Sequence, residues 1–222
     1  MNLVRLEALI GKENIEKIKN MNILVIGLGG VGGYTVESLI RSGVEKITLV
    51  DGDIIEESNL NRQIIALNNN IHKYKTKEFY KRIKKINKNV IVTLINTVIN
   101  KDNIDLLFMQ NYDYIIDACD TSIVKSLLIK KCYEKNIKLI SCMGTAKRID
   151  ATKVRITTLD NVVNDPLAKK VKSMLTKEEM SFTVVVHSTE TPIKSEMLGS
   201  SAVVPGVAGL YITSYILNDI VK

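Results

Sequence analysis

Few residues in this chain of 222 have the type and spacing to do chemistry, and they fall into a short series. Gly27, Gly29, Gly30 and Gly32 punctuate the run Gly-x-Gly-Gly-x-Gly-Gly immediately after an apolar stretch, Ile23 to Ile26. That pattern describes a buried strand, a turn too tight for side chains, and a helix whose first amides can hold phosphate. Asp51 lies about twenty residues further on, where a carboxylate can accept both hydroxyls of a ribose. Up to this point a dinucleotide and a nucleoside triphosphate fit equally well.

The segment after Asp51 and Asp53 separates them. Instead of returning directly to a helix, the chain runs through Glu56-Glu57-Ser58-Asn59-Leu60-Asn61-Arg62-Gln63. A helix N-terminus largely offsets the two charges of a pyrophosphate diester, but a triphosphate carries about four and calls for cations as well. Asn59, Arg62 and Lys75 are the polar and cationic groups available. Asp117 and Asp120 then close an apolar run, Tyr114 to Ala118, and are expected at the carboxyl edge of a sheet, facing the crevice where open α/β folds bind ligands. One of them could instead cap a helix starting near Ser122.

The elements that position these groups follow from periodicity. Ile23 to Ile26 and Lys46 to Val50 read as strands around a helix that runs to about Ser42, with Gly43 as its C-cap. Thr76 to Asn87 reads as an amphipathic helix with Phe79, Ile83 and Ile86 inward and Lys77, Lys81, Lys84 and Lys85 outward. Val90 to Val98, Leu139 to Met143, Val154 to Leu159 and Phe182 to Val186 read as further strands. Lys101 to Met109 and a cationic segment from Pro166 read as short helices, and Val207 to Val221 as the last helix. Leu3 to Asn20 forms an N-terminal helical arm, one or two helices around Gly11, whose Arg5 has no local partner.

With 45% hydrophobic residues the chain can bury a full core, and one large α/β domain is expected. We divide it into a helical arm (1–20), a nucleotide-binding core (21–150) and a C-terminal strand and helix extension of the same domain (151–222). The net charge of +7 suits anionic partners such as nucleotides or RNA, and suits equally a plain Lys- and Asn-rich surface. Cys119, Cys132 and Cys142 have no Cys-x-x-Cys spacing, so no zinc site is expected, and their small number fits a reducing cytoplasm. No signal segment is read at the N-terminus. Met197 to Asn218 is uncharged and long enough to span a bilayer, but Pro205, Gly206, Gly209 and its hydroxyl groups favour a buried helix over membrane insertion.

Taken together, Gly27 to Gly32, Asp51-x-Asp53, Ser58-Asn59-x-x-Arg62-Gln63, Lys75 and Asp117-x-x-Asp120 resemble, in order and spacing, the ATP-binding core of the ubiquitin-activating-enzyme-like adenylating superfamily. The resemblance covers about Arg5 to Gly144. It implies a Rossmann-like, doubly wound, mostly parallel sheet with helices on both faces. It also implies that the glycines, Asp51, Asp53 and Gln63 cradle ATP, that Asn59, Arg62 and Lys75 hold its phosphates, and that Asp120 organises Mg²⁺ and the reacting phosphate. Arg5 would be the N-terminal arginine that reaches the triphosphate of the partner subunit in a homodimer. Two positions depart from the usual pattern without touching the nucleotide residues: Lys88 stands where relatives often have proline, and His72 where many have glycine.

The C-terminal third narrows the resemblance. Asp165-Pro166-Leu167, the strand ending in Ser188-Thr189-Glu190, and Gly199-Ser200 followed by Val203-Val204-Pro205-x-x-Ala208-Gly209 look like the tRNA threonylcarbamoyladenosine dehydratases. Such enzymes use ATP to adenylate the carboxylate of a threonylcarbamoyl group on an adenosine beside the anticodon, and an internal nucleophile then closes a ring with loss of AMP. Sulfur-carrier activators of the same superfamily typically carry paired zinc cysteines and a later reactive cysteine, and no cysteine follows Cys142 here. Some dehydratase relatives place a cysteine just before Ser-Thr-Glu, where this chain has His187, read either as a base or as a structural histidine. Activation of a ubiquitin-like or sulfur-carrier protein remains the alternative, and an NAD-linked or non-catalytic Rossmann protein the third reading.

Overall fold

The computed structural model describes residues 1–222. Two short helices, α1 (Val4–Ile10) and α2 (Lys12–Asn20), break at Gly11, whose φ of 83° admits the turn between them. They lead into β1 (Asn22–Ile26), α3 (Gly30–Arg41) and β2 (Lys46–Val50). After an irregular polar segment come α4 (Lys75–Ile86), β3 (Ile91–Ile95), β4 (Tyr114–Asp117), α5 (Ser122–Lys135) and β5 (Leu139–Cys142). The chain finishes with β6 (Val154–Thr158), α6 (Pro166–Lys172), α7 (Lys177–Phe182), β7 (Val184–Ser188) and α8 (Val203–Val221).

The strands form one seven-stranded sheet in the order β3-β2-β1-β4-β5-β7-β6, parallel except for β6, which runs antiparallel to β7. The strand order reverses between β1 and β4, the place where doubly wound sheets open a crevice. Register brings the site together there: Ile26 pairs with Val50 on one side and Asp117 on the other. Gly27, Asp51 and Ala118 therefore leave the sheet side by side. Residues 151–222 supply two of the strands, and β7 enters between β5 and β6.

Two cores cover the two faces. One joins α3, α4 and α8 through Leu39, Phe79, Ile83, Ala208 and Ile212; the other joins α5 and α6 through Val124, Leu128, Ile129 and Val171. α8 is long and apolar enough to cross a membrane, but Val204, Ala208, Ile212 and Ile216 are buried in the first core. It lies so close to α3 that a Cβ at Gly209 would stand 2.4 Å from the Val31 carbonyl oxygen. Thr35 donates its hydroxyl to the Gly209 carbonyl at 3.2 Å, and the Ser38 and Thr213 hydroxyls meet at 2.6 Å.

Several boundaries differ from the sequence expectation. α8 begins at Val203 rather than Val207, because Pro205 falls in the first turn, where no amide donor is needed. The strand expected over Val90 to Val98 contracts to β3, an edge strand paired on one side only. Phe182 belongs to α7, a helix that the sequence reading missed although Thr176 and Glu179 form its capping box. Lys101 to Met109 holds no α-helix, only a 3₁₀ segment over Ile104–Phe108.

Candidate active site

A crevice of about 990 Å³ opens at the carboxyl ends of β1, β2, β4 and β5. Its floor is the glycine turn. Gly27 has φ 84°, and a Cβ there would meet the Ala118 carbonyl oxygen at 2.7 Å, so β1 and β4 leave the sheet in contact. Gly32 packs against Gly27 more closely still, with room for no side chain. At Gly29 the nearest atom to a Cβ is Gln63 Nε2 at 3.8 Å, so the space before this amide belongs to the crevice. Gly29 is the N-cap of α3, and no side chain caps that helix; its first-turn donors face the opening.

Asp51 sits at the end of β2 and is tied down by two amides, Leu28 N–H at 2.7 Å and Asp53 N–H at 2.8 Å. Burial raises its pKa, and the Lys75 ammonium, 4.0 Å from Oδ2, offsets part of that rise. Both carboxylate oxygens keep an unused lone pair to accept hydroxyls. Lys75 is itself buried and pairs with Asp53 at 2.8 Å, while the Asp53 carboxylate remains largely exposed. The lysine is thus held at the crevice wall by the exposed member of the Asp51-x-Asp53 motif. His72, where a glycine was the commoner expectation, adopts φ 67°, a conformation that glycine takes without strain.

The polar segment folds over the other rim. Asn59 is buried at the end of a 3₁₀ turn and accepts the Glu56 amide through Oδ1 at 3.1 Å. Arg62 donates to the Ser58 carbonyl at 2.6 Å and to Asn61 Oδ1 at 3.0 Å, which orients the guanidinium and leaves further donors free. Gln63 is buried beside Gly29, and its Oε1 has no partner.

Asp120 stands exposed on the crevice wall opposite, free of any ion pair, with only a long contact from the Thr121 hydroxyl at 3.5 Å. Asp117 does not join it. The expectation that both carboxylates face the crevice is corrected: Asp117 is fully buried beneath the turn and pairs with Lys125 at 3.0 Å. Neither aspartate caps α5, whose N-cap is Thr121. The physical reason is the parity of β4: its last side chain lies on the sheet face covered by α5, where Lys125 meets it, and the crevice lining begins only at Ala118.

Arg5 is exposed on α1 and does not reach the crevice of its own chain. His187 is buried in β7 with Nδ1 unpartnered and lies outside the crevice lining, which speaks for the structural reading over the base. Cys119 and Cys142 do line it; burial pushes both thiols up, Cys142 to about 12, so neither is a ready nucleophile.

The far end of the crevice was not legible as a unit. Gly144, Thr145 and Ala146 form one edge, Leu198 to Ser200 the other. Asp165 caps α6 through Oδ1 and takes the Gly144 amide on Oδ2 at 3.0 Å, while the buried Arg148 pairs with it at 3.3 Å. Asp165 before Pro166 is an N-cap signal; its link to Gly144, 21 residues away, left no trace in the sequence.

The model of the ThiF family matches residues 3–218. The chain belongs to the ThiF family. Among family relatives, the tRNA threonylcarbamoyladenosine dehydratase of Bacillus subtilis is 37% identical over 98% of this chain and 94% of its own length. The crystal structure of the Escherichia coli dehydratase TcdA in complex with ATP superposes with a TM-score of 0.94 at 30% identity, covering 98% of this chain and 93% of that one. A probable molybdopterin-synthase adenylyltransferase of Gracilaria tenuistipitata, also similar, matches at 33% over 56% of the chain and 35% of its length. The match to the dehydratases spans nearly the whole chain, β6, β7 and α8 included, whereas this adenylyltransferase matches little more than half of it.

Proposed function

We propose that this ThiF-family chain is an ATP-dependent tRNA threonylcarbamoyladenosine dehydratase. The observation that carries the reading is end-to-end similarity to the dehydratases, including one whose structure holds ATP. A carboxylate resists attack because its leaving group would be an oxide. In the proposed reaction the threonyl carboxylate attacks the α-phosphorus of ATP and pyrophosphate leaves with the bonding electrons. An internal nucleophile of the carbamoyl group then attacks the activated carbonyl, AMP departs, and one proton is lost, so that the nucleoside loses one water overall. Holding both reactants on one adenosine makes the second step intramolecular.

The chain's own residues supply orientation and charge. Asp51 accepts the ribose hydroxyls, and the amides from Gly29 to Gly32 meet the α-phosphate. Asn59, Arg62, Gln63 and Lys75 hold the phosphates; Asp53 is the group from which the triphosphate draws Lys75. Mg²⁺ would come with ATP, and the exposed Asp120 carboxylate would be the residue to hold it, where the ion would neutralise charge on the reacting phosphates. Arg5 completes the site from the second subunit of a homodimer; in its own chain it stands exposed on α1, outside the crevice lining. A tRNA substrate supports a cytoplasmic location, and residues 151–222 form the substrate side of a single domain.

Nucleoside mass analysis of threonylcarbamoyl-bearing tRNA, incubated with the protein and ATP, tests the reading. A loss of one water from the modified nucleoside is expected. ATP–pyrophosphate exchange that needs a carrier protein and no RNA would overturn it.

A further inference from the structure

We propose that the buried pair Asp117–Lys125 is a positioning device that fixes the turn bearing Asp120 against the substrate rim at Gly144. The inference rests on the reading of Asp120 given above. Both side chains are wholly buried and neither lines the crevice, so they touch no ligand directly. Their contacts all lead to it. Asp117 Oδ1 accepts the Cys119 amide at 3.2 Å and the Cys119 thiol at 3.0 Å, which sets the residue next to Asp120. Asp117 Oδ2 takes the Ser141 hydroxyl at 2.6 Å. Lys125 Nζ, besides its bond to Asp117, donates to Ser141 Oγ at 3.3 Å and to the Cys142 carbonyl at 2.7 Å, two residues before Gly144. The cluster therefore spans β4, β5 and the second turn of α5, and links both walls of the crevice from below.

Stability does not account for such an arrangement. A buried ion pair is costly to desolvate, and well-packed apolar replacements are commonly neutral or stabilising. What an apolar pair cannot do is give the Cys119 amide and the Cys142 carbonyl directional partners. β4 ends at Asp117, and beyond it main-chain bonds hold only the two ends of the turn, Ala118 N–H to the Ile26 carbonyl at 2.8 Å and Lys125 N–H to the Thr121 carbonyl at 3.0 Å; between them the Cys119 amide depends on the Asp117 carboxylate. Without the carboxylate, Cys119 and Asp120 are free to move relative to Gly144, and displacement of a charged group by about 1 Å can cost 10²-fold in rate.

The test is the double substitution Asp117→Leu with Lys125→Met, which removes both charges together. The expected result is a Tm near that of the wild type, an ATP KM within about threefold, and a kcat at least about tenfold lower. Placed on Asp120→Asn, the same double substitution should cost little further, because its effect passes through Asp120. Amide hydrogen exchange at Cys119 to Thr121 should accelerate in the folded double variant, with strand cores unchanged. An unaltered kcat, or a loss that simply adds to that of Asp120→Asn, overturns the proposal. If the double variant fails to fold, Ser141→Ala keeps both charges while removing the bridging hydroxyl. It should then lower kcat and loosen the same three amides, and normal kcat and exchange there would be fatal. The wild-type assay reports on the dehydratase function separately: an inactive wild type counts against that function, while the exchange measurement still decides whether the pair holds the turn.

Discussion

Gly32 faces the carbonyl oxygen of Gly27 so closely that a Cβ on Gly32 would lie 1.8 Å from it. The contact joins the end of β1 to the first turn of α3 and leaves no flexible atom to give way. Gly32→Ala must therefore displace backbone, at a cost of roughly 1–3 kcal/mol or more. The expected fall in Tm is roughly 2–12 °C for a chain of this size, with loss of ATP binding. Gly29→Ala meets nothing nearer than 3.8 Å, so it should keep the wild-type Tm and weaken ATP alone. Thermal melts and ATP titrations of the two variants check the contrast, and equal behaviour would refute it.

Asp120→Asn keeps the size of the side chain and removes the charge from an exposed position, so the fold should be unaffected. The cyclised nucleoside should form with kcat reduced about 10²–10³-fold, the usual effect of losing one electrostatic contact to a transition state. ATP binding should persist. Wild-type turnover in this variant would remove Asp120 from the mechanism.

Arg5 lies outside its own crevice, and complementation tests whether it serves another. Arg5→Ala and Asp120→Ala should each be inactive alone. After subunit exchange, random pairing makes half the dimers mixed, each with one intact site, so about a quarter of wild-type activity should return. Mixtures as dead as their components would exclude action across an interface.

His187 predicts a pH dependence of stability. Burial lowers its pKa from 6.5 against the opposing pull of Asp165, so the folded state stays neutral where the unfolded state binds a proton. In that window the unfolded state holds more protons, and stability rises with pH. Acidification below about pH 6.5 should therefore lower Tm down to the folded pKa, and His187→Gln should flatten that part of the curve. Identical Tm profiles for the two proteins would disprove the assignment.

What sequence made legible was local. The glycine run, the strand bearing Asp51 and the polar segment to Gln63 each announce themselves through neighbours a few residues away, and they converge as expected. Asp117 misled because its spacing from Asp120 shows only that both lie near a strand end. Which one turns outward depends on the parity of β4 and on Lys125, eight residues on and in another element. The far rim was hidden for a similar reason: Asp165, Arg148 and Gly144 meet through tertiary contacts without periodicity.

The position of β7 also bears on how the molecule is made. On a ribosome, β5 emerges before β6, yet neither pairs with the other; each waits for β7, which ends at Ser188. Until then a nascent chain carries β5 as a bare edge, open to pairing with other chains. Synthesis of the dehydratase-like third thus closes the sheet that holds the nucleotide, and a product halted near residue 150 would be a candidate for aggregation and proteolysis rather than a smaller ATP-binding protein.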